Sequence, residues 1–242
     1  YLLYGAGTIR ARGNLSPGTV GGAVAGDVKL IIDGSSGDQV QNGLQWAGSD
    51  YTVSKSSGTL IYTNYNLFAA PGNGLVTRYQ FDSAVDFTSR LSSVEFRFAA
   101  GGLNSGTESK PLLAGTAALV FNDMTIYGAV STGHAWMDLG GRTVTVGRDC
   151  SISMSATTWI RRIDNGTIDV RSNLVLTNFL APDSRTQGSA LIQMSGTNNV
   201  ILRGDGTNRY FNSIVINKPG ATVALTGSLG LQGAGMDLSV PA

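Results

Sequence analysis

Short stretches in which apolar and polar residues alternate recur through the second half of the chain. Three copies of one frame occupy residues 141–152, 166–176 and 221–231. Because alternation with a period of two places every second side chain on one face, each copy predicts two short strands with one buried face. The predicted inward positions are 144/146/150/152, 168/170/174/176 and 223/225/229/231.

A polar break of three residues separates the two strands of each copy, at 147–149, 171–173 and 226–228. Gly, Asn, Asp and Ser tolerate the bent backbone of a sharp corner. The equivalent residues Thr143 and Thr167 are 24 apart, a typical length for one coil of a solenoid. This frame predicts a parallel β-helix over residues 91–242, in which Asn or Ser side chains at matching corners stack in ladders. A β-sandwich is the alternative, because it also has short strands and frequent turns.

Coil length is expected to vary. Thr222 follows Thr167 by 55 residues, which predicts about two longer coils between the second and third copies. A weaker echo pairs residues 121–126 with residues 211–216.

Residues 1–90 are less regular. They contain three strand-like runs, at 28–32, 59–62 and 76–81, separated by Gly-rich breaks. These runs are either further coils or a separate capping or sandwich-like portion.

Composition supports an all-β chain without a nucleic-acid partner. The 242 residues include 33 Gly, and the 17 basic and 16 acidic residues leave a net charge of +1. Short strands and tight turns suit this composition better than helices. A chain with so little excess charge has nothing to neutralise a phosphate backbone or an anionic membrane surface.

The cysteine content argues against a disulfide-stapled domain and a zinc site, and the hydropathy argues against a membrane-spanning segment. The single Cys150 cannot form an internal disulfide and is predicted to be a buried small hydrophobe. No Cys/His spacing indicates zinc, and no cofactor is expected. No apolar run is long enough to span a bilayer, and the start at Tyr1 without a basic leader suggests a processed or fragmentary product.

The frame over 141–152 and 166–176, with the run 211–231, resembles the β-helical repeats of large secreted bacterial surface proteins of the adhesin and autotransporter-passenger type. The resemblance covers about residues 115–242, and its motifs encode coil geometry rather than chemistry. It implies a fold, an extracellular or cell-surface location, and a role in surface attachment or fibre building.

The tripeptide Arg203-Gly204-Asp205 is one that some adhesins use to engage integrins. The same residues, followed by Gly206-Thr207, also suit a tight turn after the strand 200–202. Asn165-Gly166-Thr167 fits a glycosylation sequon, although its place in the frame already demands a turn.

Polysaccharide lyases and hydrolases also occur on parallel β-helices, and they place carboxylates, often with Arg or Lys, along one exposed face. The weak catalytic candidates are Asp164, Asp169 and Arg162, with Asp138, Asp149 and Arg161 nearby in sequence. Asp164, before the turn signal Asn165-Gly166, and Asp149, in a corner, are explained more simply as turn residues. Asp169 stands between the inward positions 168 and 170, so its side chain is expected to point outward.

Aromatic residues are candidates for a sugar-binding site. Several of them on one exposed face would form a platform for stacking sugars, with Trp159 the aromatic nearest the acidic candidates. Core or corner packing is the simpler expectation for most of them. His134 is the only histidine, and without a nucleophile motif it is expected to be a solvated loop residue. The aromatic candidates are Trp46, Trp136, Trp159, Tyr62, Tyr65, Tyr79 and Tyr127.

Two functional hypotheses follow. The first is a structural or adhesive segment of a bacterial surface protein, which self-associates into fibres or binds a cell-surface or glycan ligand. The second is a β-helix that binds or cleaves glycans, similar to a phage tailspike module or a polysaccharide lyase. A groove that gathers Asp169, Asp164 and Arg162 beside an exposed Trp159 would favour the second hypothesis.

Overall fold

A computed structural model describes residues 6–16, 24–70, 76–99, 110–129, 134–154, 160–177, 188–204 and 213–227. Within these residues the chain forms 20 strands and no helix. The strands are β1 (Gly7–Ala11), β2 (Val24–Ile32), β3 (Gln39–Asn42), β4 (Gln45–Val53), β5 (Leu60–Thr63), β6 (Tyr65–Ala70), β7 (Val76–Phe81), β8 (Val85–Asp86), β9 (Ser93–Ala99), β10 (Lys110–Gly115), β11 (Leu119–Phe121), β12 (Asp123–Ala129), β13 (His134–Val146), β14 (Cys150–Met154), β15 (Ile160–Val170), β16 (Leu174–Thr177), β17 (Leu191–Met194), β18 (Val200–Gly204), β19 (Ile214–Ile216) and β20 (Val223–Thr226).

Every strand pair is parallel, and each strand pairs with its counterpart in the next coil, so the predicted β-helix is confirmed. The strands form three stacks that make up the sides of the solenoid. Stack 1 contains β1, the second halves of β2 and β4, then β7, β10 and the first halves of β13 and β15. Stack 2 contains β3, β5, β8, β11, the second halves of β13 and β15, then β17 and β19. Stack 3 contains the first halves of β2 and β4, then β6, β9, β12, β14, β16, β18 and β20.

Register confirms the first two copies of the sequence frame. Thr143 pairs with Thr167 and Val144 with Ile168, both in stack 2. In stack 3, Cys150 pairs with Leu174 of the next coil. All eight inward positions of these two copies are buried.

The prediction that the third copy is equivalent to the first two is wrong. Leu225 pairs with Leu202, which itself pairs with Leu174, so this segment belongs to stack 3 and is not equivalent to residues 144–146. The stack 2 strand of that coil is β19, which pairs with β17. For the same reason the echo fails, since residues 124–126 lie in stack 3 and residues 214–216 in stack 2. Strands and corners alternate in the same way all around each coil, so a frame based on alternation alone can slip by one strand.

Leu225 was predicted to face inward, yet it is 56% exposed, and Val223 is only partly buried. β20 is the last described strand and pairs only with β18 among the described strands, so its side chains stack on one coil. Positions 229 and 231 lie outside the described residues.

The first part of the chain forms further coils. Strands β2, β5 and β7 correspond to the three runs predicted there, and each pairs in parallel within its stack. Pairing crosses residue 90, because β6 pairs with β9 and β7 with β10. One continuous hydrophobic core runs from Ala11 to Ile214.

The corner between stacks 1 and 2 requires glycine at defined places. Gly140 has a φ of 63°, and a Cβ atom there would lie 2.1 Å from the Leu113 carbonyl oxygen. One coil later, the chain turns at Asn165 with a φ of 54°, followed by Gly166, whose Cβ would lie 2.3 Å from the Arg142 oxygen. The turn predicted at the sequon is therefore present, and the close backbone approach accounts for its glycine.

Candidate ligand-binding face

The acidic candidates are divided between stacks, although Asp138 and Asp164 pair in adjacent coils of stack 1. Asp164 ends the stack 1 half of β15, where its carboxylate accepts the Ser189 N–H at 3.0 Å. Asp169 lies beyond the corner in the stack 2 half, and its carboxylate is 3.5 Å from the Arg171 guanidinium. As predicted, Asp169 lies between buried residues 168 and 170. The side chains of Arg161 and Arg162, and all of Trp159, lie outside the described residues, so the predicted grouping with them is not tested.

Carboxylates and amides at the corners link one coil to the next. Asp149 accepts a hydrogen bond from the Asn173 side chain at 2.9 Å, and Asn173 in turn accepts the Ile201 N–H at 2.9 Å. Asn199 accepts the Thr222 N–H at 2.9 Å one coil further on. Polar side chains at the corners between stacks 2 and 3 therefore link successive coils, but among these bonds only the one between Asp149 and Asn173 joins side chain to side chain, and the others accept backbone N–H groups.

The Arg-Gly-Asp tripeptide begins inside a strand. Arg203 is exposed and Gly204 is buried, and both belong to β18, so the strand continues past residue 202, where the turn was expected to start. Asp205 lies outside the described residues. Cys150 is fully buried as predicted, and burial raises the pKa of its thiol to about 12.

Aromatic side chains divide sharply between core and surface. Trp46, Tyr62 and Tyr79 are buried, as expected for core packing. Among the aromatic residues whose side chains the structure describes, only Tyr65 and Tyr127 are exposed, at 41% and 37%. Trp136 and His134 are described only in their backbone. His134 begins β13, so the expectation that it lies in a loop is wrong.

The two exposed tyrosines lie on the outer face of stack 3 and flank an ion pair. The Tyr65 hydroxyl donates to Glu95 Oε2 at 2.6 Å, and Arg97 Nε donates to Glu95 Oε1 at 2.6 Å. The Arg97 guanidinium lies over the Tyr127 ring, 5.5 Å from its centre. We call these four residues the Tyr65–Tyr127 patch.

The alternation of three consecutive strands builds this patch. In stack 3, Phe68, Phe96 and Ile126 point inward and are buried, which turns their odd-numbered neighbours outward. Arg97 pairs with Tyr127 in the next coil, which brings the guanidinium over the ring. The side chain of Glu95 is 13% exposed, so both of its oxygens are held by neighbours at the floor of the patch.

Electrostatics fix the protonation states in the patch. Burial and the Glu95 carboxylate raise the pKa of the Tyr65 hydroxyl, which therefore remains a donor at neutral pH. The hydrogen bond to Glu95 also raises the pKa of Arg97. The ion pair is held in place and carries no net charge.

Glu95 and Arg97 were not identified from the sequence. A usable signal was the alternation of charged residues with buried Val94 and Phe96 in one strand. In the described part of the chain, no group of three or more His, Cys, Asp or Glu residues could hold a metal ion. Likewise, none of the described segments is a helix suited to crossing a bilayer.

Comparison with known proteins gives no relative. No family model, no curated protein and no solved structure matches this chain.

Proposed function

We propose that this chain is a structural or adhesive segment of a bacterial surface protein, which acts as a rigid support and not as an enzyme. The location rests on the resemblance of its repeats to those of secreted adhesins. The observation that supports a structural role is the use of its carboxylates. They serve as acceptors that join coils, as Asp164 does for Ser189 and Asp149 for Asn173.

Carboxylates that are fixed at corners are poorly placed for glycoside cleavage. That reaction needs two carboxyl groups on either side of one bond, about 5 to 9.5 Å apart. Asp164 and Asp169 lie on opposite sides of the Asn165-Gly166 corner, in different stacks, and each is already bound to a neighbour. A catalytic role for this pair is therefore the weaker hypothesis.

Incubation with a panel of neutral and acidic polysaccharides tests the enzymatic alternative. We expect no new reducing ends and no unsaturated products after prolonged incubation. Turnover that disappears in Asp164→Asn or Asp169→Asn, with the protein still folded, would contradict the structural proposal.

Self-association is the second part of the proposal. Among the described strands, β1 pairs only with β2 and β20 only with β18, and an unpaired strand edge can be extended by another chain. The exposed Leu225 in β20 would lie in such a contact.

Negative-stain microscopy at rising protein concentration should show rods that join end to end. Leu225→Lys should shorten them, whereas Leu91→Lys, at a residue that is 72% exposed and outside every strand, should not. Monodisperse particles at all concentrations would contradict self-association.

A further inference from the structure

We propose that the Tyr65–Tyr127 patch binds a neutral oligosaccharide, with the two tyrosine rings stacking on sugar faces and the Glu95–Arg97 pair bonding to hydroxyl groups between them. This inference rests on the proposed adhesive function and adds the ligand class and the residues that would recognise it. It concerns a different face of the molecule from the acidic candidates.

The exposure of the two rings is the first argument. Nine large aromatic side chains are almost completely buried among the residues that the structure describes, so the core readily accommodates such rings. Tyr65 and Tyr127 instead lie on the outer face of one stack, where Tyr65 pairs with Ser93 and Tyr127 with Ser153 of the next coil. Leu67 and Ala69 follow Tyr65 on the same face of its strand. An exposed ring with a polar tip is the type of side chain that binding surfaces favour.

The fixed geometry of Glu95 is the second argument. Arg148 and Arg142 form links between coils, Arg148 to Asp123 and Arg142 to the Ala114 carbonyl at 2.7 Å. Arg97 instead bonds to Glu95 on its own strand, and this ion pair contacts the neighbouring coils through Tyr65 and Tyr127. Only the Arg97 side of this ion pair is largely exposed, at 42% compared with 13% for Glu95. A carboxylate held by two donors is already ordered for binding and loses little side-chain entropy when a ligand arrives.

The chemistry of the patch indicates the ligand. Pyranose rings present C–H faces that pack on an aromatic ring, and their hydroxyl groups both donate and accept hydrogen bonds. The Arg97 guanidinium keeps donors beyond the one that Glu95 uses, and charged partners form the stronger hydrogen bonds. Because the charges of Glu95 and Arg97 cancel, a neutral sugar fits better than an acidic one.

The spacing favours a short chain of sugars over a single ring. Tyr65 pairs with Ser93, four residues before Arg97, and Arg97 pairs with Tyr127 in the next coil. With strands about 4.8 Å apart and a rise of about 3.3 Å per residue, the two tyrosine Cα atoms are about 16 Å apart. Arg97 occupies one face of the Tyr127 ring, so the sugar would use the other face. The described residues of the patch form a sheet face without a deep pocket, which implies weak binding, with a Kd of about 0.1–1 mM.

Titration of the full chain by NMR or calorimetry tests the proposal. The probes are cellotetraose, maltotetraose and mannotetraose, with glucose for size and tetragalacturonate for charge. We expect at least one neutral tetrasaccharide to bind, glucose to bind at least about tenfold more weakly, and tetragalacturonate not to bind. Absence of binding to every neutral probe, or binding to tetragalacturonate alone, would overturn the proposal.

Variants locate the binding site. Tyr127→Ala and Tyr65→Ala should each weaken binding at least about fivefold, and Arg97→Gln should weaken it comparably. Tyr65→Phe keeps the ring and should retain more affinity than Tyr65→Ala. The matched control is Lys29→Gln, which breaks the exposed pair with Asp50 in stack 1 and should leave binding unchanged. Circular dichroism verifies that each variant is folded.

Equal binding by all folded variants would place the sugar elsewhere and overturn the assignment. The outcomes for the two proposals remain distinct. Loss of sugar binding without turnover would leave the structural role intact. Turnover together with binding at the patch would contradict the structural role but support this site.

Discussion

The interior of the coils is filled by aromatic side chains in the first half of the molecule and by aliphatic ones in the second. In the first half, rings contact one another from coil to coil, as Phe68 does on Phe96 with centres 5.5 Å apart. In the second half the inward positions of stack 2 are aliphatic or Met, with Val, Ile and Met194 filling the same column. The comparison shows that backbone pairing fixes the path of a solenoid, while side-chain volume within it can vary widely.

The aromatic half also buries hydroxyl and amide groups in contact with one another, whereas the buried polar residues described in the second half are Asp138 and Lys218. The Tyr51 hydroxyl donates to Gln41 Oε1 at 2.8 Å and lies 2.6 Å from the Tyr62 hydroxyl. Burial raises the pKa of both hydroxyls, so both remain protonated. Buried polar groups are costly when they lose a partner, which makes this half more sensitive to small chemical changes.

Phe96→Ala should have the largest effect on stability. The Phe96 ring is fully buried and contacts Phe68, Tyr79 and Phe121, so its removal leaves a large cavity. We expect the free energy of unfolding to fall by ~4 kcal/mol. For the aliphatic counterpart Ile152→Ala, we expect a loss that is smaller by ~1–2 kcal/mol. Denaturant titration measures both. Equal losses would mean that ring packing adds nothing to this core.

Tyr51→Phe and Tyr79→Phe should have opposite effects. Tyr51→Phe leaves Gln41 and Tyr62 without a shared partner and should cost ~2 kcal/mol. The Tyr79 hydroxyl is buried and has no hydrogen-bond partner among the described residues, so Tyr79→Phe should leave stability unchanged or increase it by ~1 kcal/mol. Thermal unfolding of the two variants compares them directly. A clear loss in Tyr79→Phe would show that its hydroxyl is satisfied.

Alkaline pH should weaken the aliphatic half through Cys150. Burial, with a smaller effect from Asp149, raises the pKa of the folded thiol from 9.0 to about 12. Above pH 9 the unfolded thiol loses its proton and the folded one does not. The contribution of this thiol to stability is therefore complete below pH 9 and declines as the pH rises toward 12.

Between pH 8 and pH 10, this thiol should reduce the free energy of unfolding by ~1 kcal/mol. Cys150→Ala lacks the thiol but keeps every buried tyrosine, so the difference in pH slope between the two proteins isolates the effect. Identical pH slopes in the two proteins would mean that burial does not raise the pKa of this thiol.

Lys29→Gln should have the smallest effect. The Lys29 ammonium lies 3.1 Å from the Asp50 carboxylate, and the lysine side chain is 51% exposed. An exposed pair of this kind contributes less than ~0.5 kcal/mol. Denaturant titration at low and high salt measures the loss. A larger loss would show that charged side chains on the outer face contribute to the stability of the first half in addition to its aromatic core.

The sequence predicted the fold best where the core is aliphatic. Val144, Val146 and their counterparts alternate strictly with polar residues, and a constant spacing of 24 residues made the coil visible. The third copy failed because its alternation looks the same in stacks 2 and 3. In the first half, inward Gln41 and Asn66 break the hydrophobic pattern, so local alternation could not identify those coils.

The patch was less accessible to sequence reasoning than the fold. Tyr65 and Tyr127 were candidates among several aromatic residues, but nothing local separates them from buried Tyr62 and Tyr79. Glu95, Arg97 and Tyr127 come from two different coils, and only the register between β9 and β12 brings them together. That register depends on loop lengths, which alternation does not specify.

The stacking of coils through parallel strands also determines how this protein would respond to mechanical force. Each coil is bonded mainly to the coils above and below it, and its hydrogen bonds run along the direction of stacking. A pull on the two chain ends would therefore detach coils in sequence. A coil of 24 residues, as between Thr143 and Thr167, would release about 80 Å of extended chain. Stretching of single molecules should then show evenly spaced lengthening events in the aliphatic half and stronger resistance where aromatic rings interlock successive coils.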